Sequence, residues 1–380
     1  MSQTQIRPIA RPTARPAAPR ARYPKGAAPP VLVEVRRGPI VESRHRGHVV
    51  QVNAAGDVEW GIGDPDAVVS LRSAVKPFGI TALIEEGGID AFNLTEQEIA
   101  VMAASHTGED AHVRTVQAVL RRAGLSQSLL ACGSEGAPQD RITAARLARD
   151  GETPGPVRHM CSGFHTSSLL LSRLKGWSLP DYWRPEHPSQ VAVRDVVAKI
   201  FNTKPPQLVT GVDACGVPTY AFPLAAIARA FASLADPQSA TGGAASLAAS
   251  LTRVRDAMVA APDMVGGTRD SSDTALMRVR ARTMVVKGGA EGLRGVGLFA
   301  GARGEGSPPA GLAVKIEDGN LSGRANKSAT VEALSQLGVL DAAALERLND
   351  THRPPLRDPR GVEVGQVVPI FQLAPISELG

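Results

Sequence analysis

The sequence predicts an α+β fold in which a central antiparallel sheet is flanked by helices and closed by strands from both chain ends. Three observations predict it. β-Branched, strand-like segments cluster at residues 31–61 and again at 283–316. The stretch between them is dominated by helical periodicity rich in Ala and Leu. No repeat and no linker interrupts the chain after residue 30, which favours one body over residues 31–380.

The elements follow in order. Val31–Val35, Val49–Val52 and Val58–Trp60 read as strands, with a hairpin turn over Asn53–Gly56. A helix is predicted to open near Ser73, because Pro77 fits a first helical turn, and to run through Leu83 to the stop at Gly87-Gly88. Thr95 and Glu98 form a capping box for the next helix, with Leu94 and Ile99 as its staple. That helix should reach Ala104, with Gly108 as its terminator. Further helices are expected over Glu109–Ala123, His165–Lys175, Pro188–Phe201, Pro218–Ala235 and Gly243–Ala260. A short strand, Val209–Ala214, leads into Cys215. Thr283–Lys287, Gly295–Ala300 and Leu312–Ile316 suggest an antiparallel meander, with Asp318-Gly319 as a turn. Ala329–Leu337 and Ala342–Leu348 complete the helices.

Charge limits the function classes. The net charge is +5, yet six cationic side chains and no acid lie in residues 1–30, which leaves −1 for residues 31–380. A near-neutral body does not read as a nucleic-acid binder. The Arg/Pro/Ala-rich stretch 1–30 reads as a disordered tail. No apolar run reaches membrane-spanning length, so no membrane partner is expected. Three widely spaced cysteines, Cys132, Cys161 and Cys215, argue against a disulfide framework and fit a cytoplasmic location.

Three short elements carry chemistry in order along the chain. Ser73-x-x-Lys76 opens a predicted helix, Ser105 ends another, and Lys287-Gly-Gly289 ends a strand. On a helix, residues three apart share a face, so a hydroxyl and an amine can meet there. An amine activates a serine when no histidine serves as its base. Its own pKa must then fall from about 10.4, through burial or a nearby cation. The serine acyl-transfer enzymes of the β-lactamase and penicillin-binding type use the same order of parts. Each element also has an ordinary reading: Ser73 as a cap, Lys76 solvated, Lys287 exposed at a strand end.

Taken together, longer stretches resemble the asparaginase II family, the Rhizobium-type L-asparaginases. They are Val41–Gly47, Arg72–Phe78, Ala104–Glu109, Cys161-Ser-Gly163 with His165, His187-Pro188, Asp213–Cys215, Lys287–Gly292 and Lys315–Gly319. The resemblance implies a serine-β-lactamase-like fold, hydrolysis of L-asparagine to aspartate and ammonia through a serine acyl-enzyme, and a homodimer. It implies Ser73 as nucleophile with Lys76 as its base, and Ser105 with Lys287 as a second pair. It places Arg72 at the substrate α-carboxylate, Asp213 at the α-amino group, and His165 in the substrate pocket. It also implies a metal spot at Cys161, Cys215 and a lysine, but the lysine position is Phe164 here. Two thiolates make a poor zinc site, so zinc is expected to be weakened or absent and no cofactor required. Cys161 and Cys215 read equally well as small buried residues. His165 is adjacent and would substitute only with a shifted geometry. Two alternatives stand beside asparagine hydrolysis: a serine hydrolase of another amide such as glutamine or a β-lactam, and a ligand-binding homologue without turnover.

Overall fold

A computed structural model describes residues 27–319 and 323–375. The tail expectation falls almost wholly on residues 1–26, which lie outside the described residues.

Both ends of the chain build the main sheet. Strands β1 (Val31–Arg37), β2 (Ile40–Asn53) and β3 (Val58–Ile62) come first. The last third supplies β7 (Met284–Gly289), β8 (Leu293–Leu298), β9 (Ala310–Ile316), β10 (Pro355–Arg357) and β11 (Glu363–Pro369). The order is β10-β11-β1-β2-β9-β8-β7, with β3 beside β2 and Ala374–Pro375 beside β3. The pairs are antiparallel throughout. The meander read from residues 283–316 is β7-β8-β9, in the register Lys287↔Gly295 and Val296↔Leu312. The strands at 355–375 escaped the sequence reading because they are short and carry prolines at 355, 369 and 375. A second sheet joins β4 (Val68–Ser70), β6 (Pro218–Pro223) and β5 (Val209–Val212).

The expected helix Pro218–Ala235 divides. Its first six residues form β6, and only α1 (Leu224–Ala235) is helical. Thr219, Tyr220 and Phe222 favour the pleated surface, and Ser70↔Ala221 pairing holds them there. Helix α1 then lies against the main sheet. A Cβ at Gly311 would fall 1.9 Å from the Ala228 carbonyl oxygen, and one at Gly297 would fall 2.4 Å from that of Phe231. Glycines on the sheet and alanines on the helix therefore let the two backbones approach. This close packing compensates for the shortage of aromatic residues, which are 4% of the chain.

A second correction concerns Ser73. The expected single helix from Ser73 through Leu83 is three pieces: a 3₁₀ turn at Arg72–Val75, then Lys76–Gly79, then Thr81–Glu85. Pro77 sits in the first turn of the α-helical piece, so the α-helix begins three residues after Ser73. The capping box at Thr95 is present as read, and its helix spans Glu96–Met102. The helix expected over Gly243–Ala260 opens as a 3₁₀ segment and is α-helical only over Ala248–Ala260.

Gly311→Ala should force α1 away from the sheet and cost about 1–3 kcal/mol of stability, as overpacking does. A lower urea midpoint with an unchanged slope would register it.

Candidate active site

The site assembles where the end of β7 meets the Arg72–Val75 turn. Gly289 permits that meeting, because a Cβ there would stand 2.4 Å from the Leu71 carbonyl oxygen. Leu71 N–H is tied to the Tyr220 carbonyl of β6 at 2.8 Å, which fixes the turn from the other side. Arg72 has φ +44, in the left-handed region that a non-glycine residue enters at a cost of about 1–3 kcal/mol. The strained residue stands directly before Ser73.

From the opposite side come Ser105, at the end of the Glu96–Met102 helix, and Cys161, which precedes helix α2 (Ser162–Lys175). These two helices cross closely because Gly163 has no side chain: a Cβ there would lie 2.0 Å from the Val101 carbonyl oxygen. The crossing brings Cys161 to the end of the Glu96–Met102 helix, so that one amine reaches both. Lys76 Nζ donates to the Ala104 carbonyl at 2.8 Å, Ser105 Oγ at 3.2 Å and Cys161 Sγ at 3.2 Å. It is not directed at Ser73, so the hydroxyl–amine meeting expected from the Ser-x-x-Lys spacing does not occur in this geometry. The acceptors explain this, since the Ala104 carbonyl, Ser105 and Cys161 all come from other segments and draw the amine toward them.

Lys287 completes the cluster. Its Nζ donates to Ser105 Oγ at 3.0 Å and to the Gly288 carbonyl at 2.7 Å. One serine hydroxyl therefore receives two lysine amines. Ser73, Lys76 and Lys287 are buried, whereas Ser105 is half-buried and keeps contact with solvent. Burial lowers the Lys287 pKa to about 8. The nearby Asp273 carboxylate opposes that fall, while the cations Lys76 and Arg294 add to it.

Sequence reasoning missed Asp273 and Arg294. Asp273 belongs to helix α3 (Ser272–Val279), accepts the Gly288 N–H at 2.8 Å, stands 3.8 Å from Lys287 Nζ and is bonded to Arg294. The available signal was Arg294, a lone charge inside the otherwise apolar strand Leu293–Leu298.

His106, His187 and His45 make local hydrogen bonds. His106 Nδ1 accepts the Gly108 N–H at 3.1 Å, which leaves Nε2–H to donate to Ser162 Oγ at 2.9 Å. Burial, then the stacked His112, hold its pKa well below the usual imidazole value. His187 caps helix Pro188–Ile200 by accepting the Ser189 N–H. His45 pairs with Asp318 at 2.8 Å. His165, assigned to the substrate pocket by the resemblance, is fully buried, with Nδ1 2.6 Å from the Tyr182 hydroxyl. It lies within electrostatic reach of Cys161, Lys76 and Asp213.

Arg72 and Asp213, expected to take the two ends of the substrate backbone separately, pair with each other through two guanidinium–carboxylate bonds of 2.8 and 3.4 Å. Glu291, also at positive φ, faces Arg72 at 3.9 Å.

The donors around Cys161 do not fit a zinc ion. Cys161 and Cys215 are free thiols, and a side-chain hydrogen bond from Cys215, then Lys76, draws the Cys161 thiol pKa down against burial. The same hydrogen bond and burial push the Cys215 thiol up. The Lys76 ammonium thus stands against the thiol where a metal would be needed. Among the described residues no group of three His, Cys, Asp or Glu side chains is placed to hold a metal ion. Phe164 cannot help, since its buried ring fills the space over Gly79 and Val193: a Cβ at Gly79 would lie 2.9 Å from two of its ring carbons.

Phe164→Ala should cost about 3–5 kcal/mol, the usual result of emptying a buried phenylalanine site. Chemical denaturation of both proteins measures the difference.

Comparison with known proteins adds the family. No curated protein matches the chain. Among solved structures, crystal structures of Mglu resemble it. One is 15% identical with a TM-score of 0.36, covering 79% of this chain and 69% of that one. The glutamate form is 15% identical with a TM-score of 0.34, covering 78% of this chain. This chain spans 62% of that protein's length. The family described as L-asparaginase II matches residues 33–369, nearly the whole chain, and the protein belongs to that family.

Proposed function

We propose that the protein is an amidohydrolase with a serine-β-lactamase-like fold that converts L-asparagine and water to L-aspartate and ammonia through a serine acyl-enzyme. The observation that carries the reading is the convergence of Lys76 and Lys287 on Ser105 Oγ, set within a chain of the L-asparaginase II family. A hydroxyl flanked by two amines can pass its proton to one while the other donates to it. A lysine whose pKa is about 8 is a competent base near neutral pH.

Two observations favour two nucleophiles. Backbone strain at Arg72 favours Ser73, the serine it presents, with Ser105 carrying the proton onward to the amines. The two amines on Ser105 favour Ser105 itself. In either case the hydroxyl oxygen bonds to the side-chain amide carbon, the C–N bond breaks, and ammonia leaves with a proton delivered from a lysine. Water then cleaves the aspartyl ester. The Arg72–Asp213 pair offers a cation to the substrate α-carboxylate and an anion to its α-ammonium group, which selects an amino-acid amide. Among the described residues no helix is long and apolar enough to cross a membrane. The reading includes a homodimer in the cytoplasm that works without zinc.

Ammonia release from asparagine should fall at least about 100-fold in Ser105→Ala, the lower end of what a general acid–base group contributes. Ser73→Ala should lose as much. Activity in both variants equal to the wild type would sink the proposal. A substrate panel with glutamine and a β-lactam tests the choice of amide. Mass spectrometry of acid-quenched enzyme should find the aspartyl ester on the peptide of one serine and so identify the nucleophile. The rate at subsaturating asparagine should rise with pH through about 8, because Lys287 serves as a base only after losing its proton. A flat profile from pH 6 to 9 would exclude that role. Dialysis against a chelator should leave the rate unchanged.

A further inference from the structure

Lys287 is fully buried, and nothing in the proposed reaction explains how a buried amine stays in place and in reach of a proton. The groups facing it come from four directions. Asp273 approaches from α3, with a carboxylate oxygen 3.8 Å from Nζ. Arg294 approaches from β8 and binds the same carboxylate. Lys76 shares Ser105 with it, and Cys161 lies on the far side of Lys76. Lys327, from the helix Arg324–Gln336, acts on Asp273 from outside.

Asp273 has two holds on Lys287. One is direct, through charge. The other runs through the backbone: it accepts the N–H of Gly288, whose carbonyl in turn accepts from Lys287 Nζ. Asp273 is itself anchored. Arg294 bonds to its other oxygen, Arg294 Nε donates to Asn326 Oδ1 at 3.0 Å, and Asn326 Nδ2 donates to the Gly292 carbonyl at 2.7 Å. The carboxylate is therefore held from both sides, with its charge directed at the amine.

We propose that Asp273 is the positioning residue for Lys287: it fixes the amine against Ser105 and, opposed by Arg294, sets the pH at which that amine gives up its proton. The inference rests on the proposed Ser–Lys reading for its catalytic meaning, but not for its physics. A carboxylate favours the cationic amine and a guanidinium disfavours it, so the two residues pull in opposite directions. Burial supplies the remaining downward pull.

The test uses the full chain labelled with ¹³Cε-lysine. The Lys287 resonance is assigned by its loss in Lys287→Arg and titrated in the wild type, Asp273→Asn and Arg294→Met. The midpoint should move down by about one pH unit or more in Asp273→Asn, and up in Arg294→Met. The acid limb of ammonia release should move the same way in each. A purely structural role would lower the melting temperature and leave both midpoints in place, and that result would overturn the proposal. If Asp273→Asn does not fold, Arg294→Met decides by itself: an upward shift supports the proposal and an unmoved midpoint ends it. If the wild type releases no ammonia from asparagine, the reaction assigned above fails, while the lysine titration still decides the role of Asp273.

Discussion

Two lysine amines meeting at one serine hydroxyl set the terms for the rest of this molecule. Ammonium groups repel each other, and burying either is costly unless acceptors surround it. Lys76 finds three: a backbone carbonyl, the Ser105 hydroxyl and the Cys161 thiol. Lys287 finds a carbonyl, the same hydroxyl and the Asp273 carboxylate nearby. The cluster holds only if these acceptors arrive together from distant parts of the chain. The sheet that joins the two chain ends makes this happen, because β7 delivers Lys287 to the turn that carries Ser73.

Small residues make the delivery possible. Gly311 and Gly297 admit α1 to the sheet, Gly163 admits one helix to another beneath Ser105, and Gly289 admits β7 to the Arg72–Val75 turn. In each case a side chain would meet backbone, which cannot swing aside. A core with few aromatics is thus compatible with a dense interior, since its helices approach by their backbones. The same tightness explains Phe164. It fills a gap between packed helical segments over a glycine, and so acts as a core residue in a position where the family resemblance places a metal ligand.

The cysteines show how one contact changes the chemistry of a site. The Lys76 amine, 3.2 Å from Cys161 Sγ, helps to draw the thiol pKa down against burial. Arg72 and Asp213 likewise satisfy each other. Both pairs keep buried or half-buried charges from standing unpaired, as low-dielectric surroundings require.

By itself the sequence determined the α+β class, the β7-β8-β9 meander, the capping box at Thr95 and the order Ser73, Lys76, Ser105, Lys287. These are local or periodic features, set by side-chain alternation, cap chemistry and motif order. Only the tertiary structure decided that Lys76 turns to Ser105 and Cys161 instead of Ser73, because those acceptors come from segments far away along the chain. Only it split Pro218–Ala235 into strand and helix, since pairing with β4 and β5 is a long-range gain. It also revealed Asp273 and Arg294, whose roles come from standing on α3 and β8 beside Lys287. The sequence placed the reactive groups in order along the chain, while the packing of the sheet ends against the helices chose which amine meets which hydroxyl.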